Sequence, residues 1–298
     1  MDKGVYIGAD IGGSHISVAG VDADTRKICT AVQRKQISAD IEAESFIGIL
    51  NSLIALSLSE IKDYNLQGIC CAFPSAFDYT NGIAQYDGSN NKFEKLVGLN
   101  VRKLITGSLA VFVPVSFCND AHSFSLGEYA LLPNTQMNMM AITLGSGFGS
   151  SFINDYRLLS VTDAAIPNNG ELYNWPYKSG VAEDYFSSKA LIDGYFLKTG
   201  IRAEGVKEIK MAAEEKDRSA IELFESFGTD LGSFLLQWAQ RSHIEVIVIG
   251  GSISGAWDFF YPSLIRVFAD AGSACKVTLS DHPEEASIRG AVFSYITG

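Results

Sequence analysis

Tyr6-Ile7-Gly8-Ala9-Asp10-Ile11-Gly12-Gly13-Ser14 is an apolar run that ends in two glycines and a hydroxyl. Such a run fits a buried strand, and the backbone N–H groups of bare glycines can approach an anion closely. The same pattern occurs at Ala141-Ile142-Thr143-Leu144-Gly145-Ser146-Gly147-Phe148-Gly149-Ser150 and at Val246-Ile247-Val248-Ile249-Gly250-Gly251-Ser252. These first, second and third glycine turns (residues 12–14, 145–147 and 250–252) predict a nucleotide site.

The first two turns differ from the common phosphate-binding loops. Each is followed by another apolar stretch, at 16–21 and 151–153, which predicts a β-hairpin instead of a turn into a helix. A Walker loop needs Gly-Lys followed by Ser or Thr, and the chain contains no Gly-Lys. A Rossmann fingerprint needs a helix directly after its glycines and an acidic residue about 20 positions later. The sequence matches neither pattern.

Composition and charge narrow the class of protein. The chain has 298 residues, of which 47% are apolar, and domains of about 100 to 200 residues make two lobes the default expectation. A net charge of −11 disfavours nucleic acid as a partner, because contacts to phosphates need a basic surface. No apolar run approaches the length that crosses a bilayer. We therefore expect a cytoplasmic protein with neither nucleic-acid nor membrane partners.

Predicted strands and helices alternate in a way that favours two α/β lobes. The first lobe comprises residues 1–118 and is completed by a C-terminal helix within 284–298, and the second comprises 119–283. The predicted strands lie at 5–9, 16–21, 29–36, 68–73, 111–117, 139–144 and 151–153, and the predicted helices at 41–59, 121–129, 219–241 and 284–296. The second hairpin repeats the first, which suggests an internal duplication.

The five cysteines indicate no metal or redox motif. None has CxxC spacing, and most lie in apolar, strand-like contexts where cysteine behaves as a small hydrophobic residue. We expect buried free thiols.

Five short segments occur in a distinctive order over nearly the whole chain. They are residues 8–14, Cys118-Asn119-Asp120-Ala121, residues 144–149, Ile249-Gly250-Gly251-Ser252 and Ser287-Ile288-Arg289-Gly290-Ala291. Together they resemble the sugar kinases of the ROK family, and its glucokinases in particular, within the actin-like ATPase superfamily. The resemblance implies a two-lobed actin-like ATPase (ribonuclease H-like) fold, with a mixed sheet flanked by helices in each lobe.

The resemblance also implies a site for ATP. The first and second turns would hold its phosphates and the third would lie against its adenosine, which assigns Gly12, Gly13, Ser14, Gly145, Ser146, Gly147, Gly250, Gly251 and Ser252. Asp10 would hold Mg²⁺, directly or through water, since this cation prefers oxygen ligands and keeps part of its hydration shell. The alternative is that Asp10 caps the turn at the end of its strand.

Asp120 is the candidate general base. A hexose hydroxyl is a poor nucleophile at neutral pH and needs a carboxylate that accepts its proton as the P–O bond forms. The resemblance assigns this role to the acid of Asn119-Asp120. The alternative is that the pair caps the helix at 121–129, for which Asn and Asp are favoured. Both can hold, with one residue capping and the other catalytic.

The sugar site implied by the resemblance consists of polar loop residues. Such residues are more often exposed to solvent than in contact with a ligand. Glu171 follows Gly170 as in the family, and Glu183 lies in Gly180-Val181-Ala182-Glu183-Asp184-Tyr185, which resembles the family's Gly-Cys-x-Glu-x-Tyr. The full set is Asn119, Glu171, Asn174, Glu183, Ser75 and Asn90, with Asn91 as an alternative to Asn90.

Some positions depart from the family pattern. Residues 177–182 contain no cysteine, and Asn174 stands where many members have a zinc-binding histidine. We therefore predict no zinc, and expect packing of Tyr173, Trp175 and Tyr177 to order this loop. Ser75 replaces the glycine of the family's Pro-Gly, and His15 stands where lysine is frequent.

The sequence thus predicts an ATP- and Mg²⁺-dependent hexose kinase that phosphorylates the 6-hydroxyl of glucose or a related hexose, and the family suggests a homodimer. Alternatives are a catalytically silent sugar-binding or regulatory protein, and an N-acetylhexosamine kinase. A different actin-like ATPase, such as an acetate kinase or a chaperone-type ATPase, would leave Gly170-Glu171 and Glu183 unexplained. The acidic charge argues against the DNA-binding repressors of the family.

Overall fold

Two five-stranded mixed sheets carry the fold, one in each of the two units into which the chain divides. The structure, a computed structural model, describes residues 3–38, 40–74, 76–85, 93–109, 112–132, 137–155, 157–159, 166 and 170–297. Unit 1 contains residues 1–131 and 282–298, and unit 2 contains residues 132–281. Each unit has its own hydrophobic core.

The sheet of unit 1 is built around the predicted opening hairpin. Its strand order is β3-β2-β1-β4-β7, in which β2 runs antiparallel to β1 while β4 and β7 run parallel. The elements of the unit are β1 (Lys3–Gly12), β2 (His15–Asp22), β3 (Gln33–Gln36), α1 (Ala43–Glu60), β4 (Tyr64–Phe73), the short hairpin β5 (Phe77–Asp78) and β6 (Ile83–Ala84), α2 (Val101–Ser108), β7 (Val115–Asn119), α3 (Asp120–Tyr129) and, from the end of the chain, α9 (Pro283–Thr297).

The sheet of unit 2 repeats this arrangement. Its order is β10-β9-β8-β13-β14, again with one antiparallel hairpin and two parallel strands. The elements of the unit are β8 (Met139–Leu144), β9 (Phe148–Asn154), β10 (Arg157–Leu158), the short hairpin β11 (Pro176–Tyr177) and β12 (Gly180–Val181), α4 (Glu183–Phe186), α5 (Ser188–Thr199), α6 (Val206–Glu214), α7 (Arg218–Arg241), β13 (Val246–Gly250), α8 (Trp257–Asp270) and β14 (Lys276–Leu279). The shared topology matches the internal duplication that the sequence suggests.

The predicted helices agree with the observed ones to within two residues at each end, and both predicted hairpins are confirmed. Two predicted strands are displaced. The strand expected at 29–36 is regular only from Gln33, and the strand expected at 111–117 is β7, which begins after Pro114. Proline has no N–H to donate to a ladder, so a strand start immediately after it is physically reasonable.

Close helix crossings explain why α3 belongs to unit 1, although the sequence placed the boundary before it. The helices α3 and α9 pack together, and a Cβ atom on Gly290 would overlap the carbonyl oxygen of Ser123, while one on Gly127 would overlap that of Ala286. Unit 2 has an equivalent crossing of α7 and α8, where a Cβ on Gly228 would overlap the carbonyl oxygen of Phe260.

The cysteines are all free, as expected. Three of them are buried (Cys70, Cys71 and Cys118), whereas Cys29 and Cys275 are partly exposed. Burial raises the pKa of Cys70 and of Cys118 to about 12, so these thiols stay protonated and unreactive. Within the described part of the chain, none of the helices has the length and apolar character needed to cross a membrane.

Candidate functional site

The first glycine turn closes the hairpin of unit 1. Gly12 of β1 pairs with His15 of β2, and the residues between them are partly or fully exposed. The carbonyl oxygen of Ser14 accepts a hydrogen bond from the N–H of Ile37, which fixes the far side of the turn. The exposed backbone of this turn is suited to contact an anion.

Asp10 lies two residues before this turn and is 9% exposed. Its Oδ2 is 3.8 Å from His15 Nε2, and its carboxylate has no other polar contact among the described residues. The alternative that Asp10 caps the turn is therefore not what the structure shows. The same imidazole nitrogen is 3.6 Å from Glu284 Oε1, and Glu284 in turn forms an ion pair with Arg34.

The donors at Asp10 fit Mg²⁺ rather than a metal held entirely by protein. No group of three or more His, Cys, Asp or Glu side chains with metal-binding geometry lies among the described residues. Mg²⁺ bound with a nucleotide typically takes one or two protein carboxylates and completes its octahedron with phosphate oxygens and water. One buried carboxylate beside an exposed glycine turn meets that requirement.

The Asn119-Asp120 pair stands where β7 ends and α3 begins, and its two residues have separate roles. Asn119 is the N-cap, because its Oδ1 accepts a hydrogen bond of 3.1 Å from the N–H of His122, and its Nδ2 donates to the hydroxyl of Tyr79 at 3.2 Å. Asp120 is the first helical residue, where the helix macrodipole favours an acid, and its Oδ1 accepts from the N–H of Ala121 at 2.8 Å. Capping by Asn119 makes that role unnecessary for Asp120.

The second and third glycine turns adjoin each other in unit 2. Gly251, directly after β13, has φ +90°, and a Cβ there would overlap the carbonyl oxygen of Leu144 at the end of β8. A Cβ on Gly145 would be 3.5 Å from the hydroxyl oxygen of Ser252. Ser188, at the start of α5, fixes the second turn through two hydrogen bonds to the carbonyl oxygen of Gly145, from its N–H at 2.7 Å and from its hydroxyl at 2.9 Å.

Glu183 is attached to the second turn. Its Oε2 accepts a hydrogen bond of 3.1 Å from the N–H of Phe148, and a Cβ on Gly147 would lie 2.7 Å from the same oxygen. Ser146 and Glu183 also line a pocket of about 450 Å³ whose walls include the facing sides of α5 and α7. A residue predicted to contact sugar and a turn predicted to contact phosphate therefore lie together within one unit.

Glu171 lies beside the same hairpin. The hydroxyl of Ser150 donates to the carbonyl oxygen of Gly170 at 2.7 Å and accepts from the N–H of Leu172 at 2.8 Å. Burial raises the pKa of the Glu171 carboxyl above its ordinary value. Asn174, in contrast, is exposed.

The loop before Glu183 is ordered by aromatic packing, as predicted, but by two of the three named rings. Trp175 packs edge-on against Trp238 with 5.0 Å between ring centroids, and Tyr177 lies among Tyr185, Phe186 and Phe234. Tyr173 is 43% exposed, so the prediction was wrong for its ring. An ion pair also joins the β11–β12 hairpin to α7, with Lys178 Nζ 2.6 Å from Asp230 Oδ2.

Two predicted sugar residues, Ser75 and Asn90, lie outside the described residues, as does the alternative Asn91. Sequence reasoning did not identify four residues near the predicted site. Phe148 contacts Glu183 and Ser188 contacts Gly145, whereas Ser150 contacts the two neighbours of Glu171 and Glu284 contacts His15. The signals for these residues were weak, because Ser150 and Ser188 are ordinary serines in sequence and Phe148 contributes only its backbone.

Comparison with known proteins places these features in a family. The sequence model of the ROK family matches residues 6–295. The chain belongs to the ROK family. This confirms the resemblance on which the site residues were assigned.

Two curated relatives of this ROK protein are sugar kinases of low sequence identity. It is 24% identical to a glucokinase of Thermotoga maritima, over 98% of this chain and 97% of that protein. It is 22% identical to an N-acetylmannosamine kinase of Escherichia coli, over 92% of each. A ROK family glucokinase from Streptomyces griseus, solved in complex with glucose and AMPPNP, superposes with a TM-score of 0.72 at 19% identity, covering 99% of this chain and 100% of that one. The predicted actin-like ATPase fold is confirmed.

Proposed function

We propose that this protein is an ATP-dependent kinase that transfers the γ-phosphoryl group to a hexose hydroxyl, the 6-hydroxyl of glucose or a closely related hexose. The observation that carries the proposal is the attachment of Glu183 to the second glycine turn through the N–H of Phe148. This hydrogen bond places a carboxylate that can accept from sugar hydroxyls next to a backbone turn that is suited to bind phosphate. Membership of a family whose relatives include sugar kinases supports the same activity.

The three glycine turns would bind ATP, the first two at its phosphates and the third at its adenosine. Their backbone N–H groups are fixed by the hairpins and by Ser188, so they need no reorganisation as charge develops on the phosphoryl oxygens. A bound Mg²⁺, with Asp10 as its protein ligand, directly or through water, would neutralise charge on the phosphates.

Asp120 would act as the general base. The sugar hydroxyl oxygen attacks the γ-phosphorus, the bond to the departing ADP breaks, and the hydroxyl proton passes to the Asp120 carboxylate. The capping role of Asn119 supports this assignment, because the N-cap position of α3 is filled by Asn119 and not by Asp120.

The remaining polar residues would orient the sugar. The carboxylates of Glu171 and Glu183 can each accept hydrogen bonds from two hydroxyls, and Asn119 and Asn174 can both donate and accept. Ser75 and Asn90 complete the proposed sugar site.

A second candidate is an N-acetylhexosamine kinase. It is favoured by the similarity to an N-acetylmannosamine kinase.

The test is coupled ADP release with Mg·ATP against glucose, mannose, fructose, allose, N-acetylglucosamine and N-acetylmannosamine. We expect one neutral hexose to stimulate turnover most. Preference for an acetylated sugar would select the second candidate. Sugar binding by calorimetry without stimulated ADP release would identify a catalytically silent sugar-binding protein and contradict the proposal.

A further inference from the structure

One buried hydroxyl holds the backbone on both sides of Glu171. Ser150, on β9, is 3% exposed. Its Oγ donates to the carbonyl oxygen of Gly170 at 2.7 Å and accepts from the N–H of Leu172 at 2.8 Å. Both the donor and an acceptor site of the hydroxyl are therefore used, and both peptide groups that flank Glu171 are tied to β9.

The surroundings leave this backbone little freedom. Gly170 has φ +88°, in the left-handed region that favours glycine, and a Cβ there would be 3.2 Å from the ring of Phe152. Leu172 is completely buried. Glu171 lies between two fixed residues, so its backbone, and with it the point from which its side chain extends, can be displaced only by breaking the contacts to β9.

The strand β9 also holds Glu183. The N–H of Phe148 donates to Glu183 Oε2, and Phe148 is two residues before Ser150 on the strand that leaves the second glycine turn. The two acids are about a dozen residues apart in the loop and helix that follow, yet both are fixed by this one short strand segment.

We propose that Ser150 is a positioning residue for the sugar site: it sets the orientation of Glu171 and thereby the affinity for the sugar. The inference rests on the proposed function, in which Glu171 contacts the sugar. Without the hydroxyl, the carbonyl oxygen of Gly170 and the N–H of Leu172 lose their partner in a buried place, which is costly, and the segment moves to satisfy them.

The test compares Ser150→Ala with Ser151→Ala in the full-length protein. Ser151 is the matched control, because it is equally buried on the same strand and its side chain lies on the opposite face. For Ser150→Ala we expect KM for the sugar to rise about tenfold, the effect of roughly one lost buried hydrogen bond, while KM for ATP changes less than about twofold. For Ser151→Ala we expect no selective change. Equal rises in both KM values for Ser150→Ala would overturn the proposal.

A double-mutant cycle separates positioning from general stability. If Ser150 acts through Glu171, its hydroxyl has no effect once the Glu171 carboxylate is removed. The double variant Ser150→Ala/Glu171→Ala should therefore have a sugar KM within about twofold of that of Glu171→Ala alone. If the double variant instead shows the product of the two single-variant increases in sugar KM, the proposal is contradicted. Should Ser150→Ala fail to fold, Gly170→Ala replaces it, because a side chain at φ +88° presses on Phe152 and moves Glu171 while the hydroxyl remains. The same sugar-selective rise is expected, and its absence overturns the proposal.

The outcome for the wild-type protein distinguishes the two proposals. If the wild type shows sugar-stimulated ADP release and Ser150→Ala lacks the selective effect, only the inference about Ser150 fails. If the wild type neither turns over nor binds any sugar of the panel by calorimetry, both fail.

Discussion

Glu183 and Phe148 are joined by a hydrogen bond in which the backbone N–H of Phe148 donates to the carboxylate of Glu183 at 3.1 Å. Because Phe148 directly follows the second glycine turn, the carboxylate lies against the turn itself. A side chain at Gly147 consequently requires the Glu183 carboxylate to move, since a Cβ there would be 2.7 Å from Glu183 Oε2.

We therefore predict that Gly147→Ala displaces the Glu183 carboxylate and raises KM for the sugar by about tenfold or more, because small errors of position cost much in a catalytic site. The matched variant is Gly145→Ala, whose Cβ would meet Ser252 Oγ at an ordinary 3.5 Å. The added methyl group has room in the folded protein, but it covers the backbone of the second glycine turn, which we propose binds the phosphates of ATP. It should raise KM for ATP and leave KM for the sugar nearly unchanged. Steady-state kinetics with each substrate varied in turn would check both, and identical profiles for the two variants would contradict the assignment.

Asp120→Asn is predicted to lower kcat by a factor of about 10² to 10⁴, the usual contribution of a general base. Sugar binding by calorimetry should persist, because asparagine has the same shape and still accepts hydrogen bonds. The control is Asp63→Asn, at an exposed aspartate before β4, which should leave kcat unchanged. Near-wild-type turnover of Asp120→Asn would rule out Asp120 as the base.

Asn119→Ala should lower stability as well as remove a proposed sugar contact, because Asn119 is the N-cap of α3 through its hydrogen bond to the N–H of His122. Loss of a cap costs about 1 kcal/mol of the free energy of unfolding. Urea unfolding would measure this value. A variant as stable as the wild type would show that the N–H of His122 has another acceptor.

The sequence predicted well what depends on local pattern and poorly what depends on contacts between distant segments. The hairpins and the long helix α7 are visible in apolar periodicity and in glycine positions. The contact of Glu183 with Phe148 joins residues 35 positions apart and uses a backbone donor, which leaves no trace in side-chain pattern. Likewise, Glu284 reaches His15 from the other end of the chain. The boundary of unit 1 differs from the predicted one for the same reason, because α3 is held by α9 through Gly127 and Gly290.

Gly290→Ala is predicted to destabilise unit 1 by about 3 kcal/mol or more, because its Cβ would overlap the backbone oxygen of Ser123, which no rotamer change can relieve. The control is Gly48→Ala on α1, where a Cβ would have no heavy atom within 4 Å. That variant should gain about 0.5 to 1 kcal/mol, since alanine loses less entropy than glycine in a helix. Urea unfolding of both would test the crossing of α3 and α9, and a stable Gly290→Ala would show that the two helices can separate at little cost.

Glu171→Gln is predicted to make the protein more stable while weakening sugar binding. Burial raises the pKa of this carboxyl, so the folded state disfavours its charged form. Below pH 4.5, the ordinary pKa of the group, the Glu171 carboxyl is protonated in both the folded and the unfolded chain and does not lower the free energy of unfolding. The free energy of unfolding of the wild type then falls as pH rises from 4.5 through the raised pKa, because the folded state disfavours the ionised carboxylate. This loss of stability persists at neutral pH.

Glutamine does not ionise, so the stability advantage of Glu171→Gln should be absent near pH 4 and greatest near about pH 7. Urea unfolding of both proteins across this range would measure it, with Glu225→Gln, at an exposed position on α7, as the control that shows no such trend. An advantage of equal size at every pH would assign the effect to packing instead of charge. We expect Glu171→Gln to gain stability and to have a higher KM for the sugar. This combination indicates that the buried carboxylate serves binding and lowers stability, as is common for residues of functional sites.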